Sequence, residues 1–139
     1  MSRAVCACMG IKRVDEIVAW QLGMQLHQRV VELTRRPQCA RHFKFCEQVI
    51  DSSSSVSANI AEGFLRFTIP ELLKYLGFAR SSLGETETRL RQALAAEWIT
   101  PEDMATLGPL IGRTGKAIAA FRRSILQFKT PRNVAKRRT

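Results

Sequence analysis

The chain has 139 residues, 45% of them hydrophobic and 24% charged, and a formal net charge of +10. A length near one domain's worth, about 100–200 residues, with an ordinary apolar fraction excludes two large domains and wholesale disorder. No apolar run approaches the roughly 20 residues of a spanning helix, which excludes a helical bilayer span.

The opening, Met1 to Gly10, reads MSRAVCACMG and has no apolar stretch long enough for the core of a signal peptide, so a cytoplasmic location is expected. Residues 1–16 are read as a flexible N-terminal segment, 17–129 as a helical bundle and 130–139 as a basic, flexible tail. The four cysteines, Cys6, Cys8, Cys39 and Cys46, are expected to be reduced thiols. Their spacings, one and six intervening residues, do not match the usual zinc-binding pairs, and neither metal nor cofactor is expected.

Period-two alternation is absent, whereas apolar spacings of three and four recur from Ala19 to Phe128. The first helix is predicted near 17–35. Trp20, Met24, His27, Val31 and Thr34 trace one stripe on it, and Leu22, Leu26, Val30 and Leu33 a neighbouring one. Arg35 and Arg36 suit its C-terminus and Pro37 stops it. Helix two follows the short connection Pro37 to His42, with Phe45, Val49, Ser52, Val56 and Asn59 at heptad spacing and Ile60 beside them.

The middle of helix two, DSSSSVSAN from Asp51 to Asn59, is poor by propensity because Ser and Asp compete for the local backbone. Small side chains there would admit a neighbouring helix closely, and hydroxyls can bond back to the carbonyl one turn earlier. Gly63 is read as a helix end, where positive φ costs little, or as a local bend.

Thr68 with Glu71 forms a capping-box pattern ahead of helix three, predicted near 69–97. Its stripe is Leu72, Leu76, Ala79, Leu83, Thr86, Leu90 and Ala93. Thr100, Pro101 and Asp103 repeat the start signal. Leu107, Ile111, Thr114, Ile118, Phe121, Ile125 and Phe128 then carry the last helix, with a kink or brief break expected at Gly108-Pro109. The predicted fold class is all-α, an antiparallel up-down-up-down four-helix bundle. Apolar residues are in surplus, and Tyr75, Phe78 and Trp98 are the candidate surface for a second subunit.

Catalytic chemistry is not indicated. His27 and His42 have no partner at ligand or relay spacing, and the serines lack an identifiable base. The run GPLIGRTGK from Gly108 to Lys116 ends like a phosphate loop but lacks its leading spacing and strand context. Asn59 could tie the end of helix two to the next connection, and Glu62 could pair with Arg66 four residues on.

The charge is uneven. Residues 1 to 103 carry 13 basic and 12 acidic residues, while residues 104 to 139 carry nine basic residues and no acidic one. A one-signed field draws polyanions, so nucleic acid or an acidic protein is the natural partner. Counting about 100° per residue from Leu107 places Lys116 at about 180°, Arg123 at about 160° and Arg113 at about 240°, away from the apolar stripe. The candidate contact set is Arg113, Lys116, Arg123, Lys129, Arg132, Lys136, Arg137 and Arg138. The alternative is a structural or protein-interaction module whose basic tail only keeps it in solution.

The run SVSANIAEG, from Ser55 to Gly63, followed by Arg66, resembles the signature of the bacterial four-helix-bundle family encoded within intervening sequences of 23S ribosomal RNA genes. Similar segments include VAWQLGMQLHQRVVELT in helix one and ARSSLGETETRL from Ala79 to Leu90, and the likeness covers roughly residues 17 to 126. Asn59, Glu62, Gly63 and Arg66 are its signature positions here. Ile50 and Asp51 stand where basic residues are common, and Ser57 where proline is common. The resemblance implies a cytoplasmic, non-enzymatic bundle assembled as a ring-like homopentamer. More distantly, it points to accessory proteins of diversity-generating retroelements, which bind a reverse transcriptase and its RNA. It favours RNA, with an acidic or RNA-processing protein as a further possible partner, over a small substrate.

Overall fold

Burying apolar stripes of period near 3.6 requires helix against helix, and four long helices do so here. The computed structural model describes residues 6–129. We label the long helices α1 (Val18–Thr34), α2 (Phe43–Leu65), α3 (Ile69–Ala95) and α4 (Pro101–Lys129). A 3-10 turn, Val14–Glu16, precedes α1, and a one-turn helix, Pro37–Ala40, occupies the first connection. Each long helix packs on its neighbours in sequence and α4 closes on α1, with α2 against α3 the most extensive contact. The fold is therefore an all-α four-helix bundle.

The stripe of α3 is buried at all seven anticipated positions. On α4, Leu107, Ile111, Thr114, Ile118, Phe121 and Ile125 are buried, while Phe128 keeps 38% of its surface exposed. On α1 Leu26, Val30 and Leu33 of one stripe are buried with Leu22 packed against them, while in the other Thr34 is buried, Trp20 packs on the core and Met24 is exposed. The stretch before α1, read from sequence as loose, packs from Cys6 onward. Cys6 is buried, and Met9, Ile11 and Val14 lie against the core.

Caps are local and appear where the sequence places them. The Thr68 hydroxyl accepts from the Glu71 amide at 3.3 Å. Thr100 and Asp103 form a reciprocal pair, the Thr100 amide donating to Asp103 Oδ2 at 2.8 Å and the Asp103 amide to Thr100 Oγ1 at 3.2 Å. Asp103 also takes an ion pair from Arg36, tying the first connection to the start of α4. Of the kink or brief break expected at Gly108-Pro109, the break does not occur: α4 runs through both residues. Pro109 and Ala105 are exposed, so the carbonyl left without a donor can be hydrated.

The serine run of α2 is helical, and its hydroxyls work inside the bundle. Ser52, Ser53 and Ser55 donate back to the carbonyls of Val49, Ile50 and Asp51. Ser52 Oγ also meets Thr86 Oγ1 of α3 at 3.0 Å, and Ser53 Oγ meets His27 Nδ1 of α1 at 3.1 Å. Gly63 lies buried in the last turn of α2, but without the positive φ that the sequence reading allowed for there. A Cβ there would stand 2.9 Å from Tyr75 Cβ and 3.3 Å from the Leu72 carbonyl oxygen, so glycine serves close helix approach rather than positive φ. Gly23 plays the same part between α1 and α2, where a Cβ would lie 3.2 Å from Val56 Cγ1.

Candidate nucleic-acid interface

The apolar period of α4 fixes which residues face outward. Arg113, Lys116 and Arg123 are all exposed, as their angular offset from Leu107 requires. The other anticipated contacts, Arg132, Lys136, Arg137 and Arg138, lie outside the described residues, as does the side chain of Lys129.

Two cations that sequence reasoning missed, Arg80 and Arg122, join this surface because α3 packs beside α4. They flank an open groove of about 570 Å³ that Lys116 and Arg123 also line, whereas Arg113 stands outside it. The groove has aliphatic walls from Leu76, Leu83, Ile111 and Ile118, and glycines from both helices: Gly77, Gly84, Gly112 and Gly115. A Cβ at Gly77, Gly84 or Gly112 would meet nothing within 4 Å. Packing within the chain therefore does not call for glycine at those three positions, although each glycine in a helix interior costs about 1 kcal/mol relative to alanine. Among the described residues none of Arg80, Arg113, Lys116, Arg122 and Arg123 is paired with a carboxylate. Glu87, the acid in the groove, is engaged by Arg91 at 2.9 Å. The signal for Arg122 was present in the acid-free last quarter, but Arg80 carries none until the helix pairing is known.

The signature residues of α2 form a clamp at the turn into α3. Arg66 Nη2 donates to Glu62 Oε1 at 2.5 Å and to Tyr75 Oη at 2.6 Å, with the guanidinium 4.7 Å from the Tyr75 ring centroid. Arg66 Nε is shielded from solvent and has no hydrogen-bond partner among the described residues. Asn59 donates from Nδ2 to the Ser55 carbonyl at 2.7 Å, so its bond stays within α2 and does not cross to the next connection. The three aromatic residues considered for a subunit contact do not form one patch. Tyr75 and Phe78 meet edge to face at 5.5 Å on α3, with Phe78 exposed. Trp98 stacks on His42 at 4.1 Å at the other end of the bundle and packs on Phe45.

The thiols are free. Burial pushes the Cys39 thiol up to about 12, helped by the neighbouring Cys46 sulfur 3.9 Å away, and burial also raises Cys6. Neither is a ready nucleophile at neutral pH. Among the described residues no three of His, Cys, Asp and Glu are grouped to hold a metal ion, and no helix is long and apolar enough to cross a membrane.

Four amphipathic helices joined by short links define a small helical-bundle protein. A family model described as 23S rRNA-intervening sequence protein matches residues 15–120, and the chain belongs to that family. Its fold is similar to the crystal structure of a protein of unknown function from the S23 ribosomal protein family of Bacteroides thetaiotaomicron VPI-5482. The TM-score is 0.69 at 21% identity, over 76% of this chain and 98% of the other. No curated protein matches the sequence.

Proposed function

We propose that this chain is a non-enzymatic accessory protein that assembles with copies of itself and binds RNA through the outer face of α4. The observation that carries this reading is the set of exposed cations, Arg113, Lys116 and Arg123, without a carboxylate partner among the described residues. An unpaired surface cation is available to a phosphate and releases the counterions condensed there, whereas a paired one must first give up its partner. Repetition of that face over several copies multiplies weak contacts without a deep pocket. The more distant resemblance to accessory proteins that bind a reverse transcriptase and its RNA supports RNA over a small substrate. The resemblance to ring-forming bundles supports a homopentamer.

Binding to a structured RNA across a salt series tests it. Affinity should fall as salt rises, and neutralising Arg113, Lys116 and Arg123 together should weaken binding and flatten the salt dependence by about one unit of log-log slope per lost contact. No binding at low salt, or binding indifferent to salt, refutes it. A second reading, a protein-interaction module, is favoured by the apolar groove between α3 and α4. Loss of partner capture with unchanged RNA affinity on removing residues 130–139 would assign the tail to a protein.

A further inference from the structure

The groove between α3 and α4 and the outward face of α2 are chemically complementary surfaces of the same bundle. Inside the chain, glycine faces a helix that is in contact: Gly23 lies against Val56 and Ser57, and Gly63 against Leu72 and Tyr75. Gly77, Gly84 and Gly112 keep glycine's small profile with nothing opposite. The groove they border has aliphatic walls, and Arg80 and Arg122 on its flanks lack acidic partners among the described residues. A fitting occupant is thus apolar in part, small along its line of contact and acidic at its edges.

The outer face of α2 meets this description. Phe43, Glu47, Asp51, Ser54, Ala58 and Leu65 are all exposed and recur at spacings of three, four and seven, which puts them on one side of the helix. Glu47 and Asp51 have no cationic partner among the described residues. Ser54 and Ala58 are small enough for close approach, and Phe43 and Leu65 expose 81% and 56% of their surface.

We infer that the α2 face of one copy seats in the α3–α4 groove of the next, with Glu47 and Asp51 against Arg80 and Arg122. This rests on the self-association half of the proposed function, and its test reads mass rather than RNA affinity. Because the two surfaces differ, the contact is head-to-tail, which closes into a ring when the rotation between copies allows. Lys116 and Arg123 line the same groove farther round α4, and Arg113 stands outside it.

The test is the mass of the full chain in solution, by light scattering and native mass spectrometry. The parent should be a discrete oligomer. Arg80→Glu with Arg122→Glu, and separately Glu47→Arg with Asp51→Arg, should each reduce it to single chains, and the four substitutions combined should restore the oligomer. Gly84→Leu should also give single chains while helicity by circular dichroism is retained, because its Cβ has open space in the isolated bundle. A parent that is monomeric overturns both this seat and self-association. An oligomeric parent whose mass survives Gly84→Leu and both charge reversals, or reversals that the combination fails to rescue, overturns the seat and leaves self-association standing.

Discussion

Alanine at Gly63 gains helix propensity, about 1 kcal/mol, and would stabilise the protein if this glycine marked only a helix end or a flexible point. The structure predicts the opposite sign. The new Cβ would sit 2.9 Å from Tyr75 Cβ, 3.1 Å from Leu72 Cδ1 and 3.3 Å from the Leu72 carbonyl oxygen. Leu72 Cδ1 can rotate away, but Tyr75 Cβ and the carbonyl move only with α3 itself. Overpacking a close-fitted contact costs about 1–3 kcal/mol, and rigid neighbours place this case at the upper end. Subtracting the propensity gain leaves a net loss of about 2 kcal/mol. The same substitution at Gly84, where nothing in the chain itself lies within 4 Å, should gain about 1 kcal/mol in the stability of the single bundle. Urea unfolding followed by far-ultraviolet circular dichroism, at one protein concentration because assembly adds a concentration-dependent term, measures both. A Gly63→Ala protein as stable as its parent, or more so, would refute the close-approach argument.

Two further predictions concern the connections. Burial alone would raise the Asp103 carboxyl, but hydrogen bonds from Arg36 and Thr100 outweigh it and hold the group below its ordinary value. Its stabilisation is therefore present above the usual carboxylate range, about pH 4, and lost as pH falls through the lowered pKa. Asp103→Ala should cost about 1 kcal/mol at neutral pH, and acid titration of stability should show the gap to the parent closing below that range. A gap that persists unchanged into acid would remove the ion pair from the account. At the end of α3, Glu97 has φ of 61°, and the amides of Glu97 and Trp98 donate to the carbonyls of Leu94 and Ala93. This terminal loop favours glycine at the left-handed position, so Glu97→Gly should raise stability by about 1 kcal/mol in the same unfolding assay. No gain would mean that this backbone conformation carries little strain.

How far the sequence reaches is visible residue by residue. The α3 stripe and the pairs Thr68 with Glu71 and Thr100 with Asp103 were legible because helix period and capping depend on residues within one or two turns. The Glu62–Arg66 pair was legible for the same reason, and the exposure of Arg113, Lys116 and Arg123 follows from their angle relative to Leu107. Asn59 was legible only as a polar residue near the core. Which carbonyl it reaches depends on its rotamer, and that carbonyl is Ser55.

Sequence alone thus determined an all-helical chain, the faces that turn inward and the concentration of positive charge in its last quarter, all of which follow from local chemistry and the order of residues. Tertiary structure decided which helices press together closely enough to require Gly23 and Gly63. It also decided that α3 and α4 stand with a groove between them, bringing Arg80 beside Arg122, residues 42 positions apart in the sequence. Contacts of that kind depend on the distance between helix axes, which is set by the side chains of two segments at once and is written in neither of them.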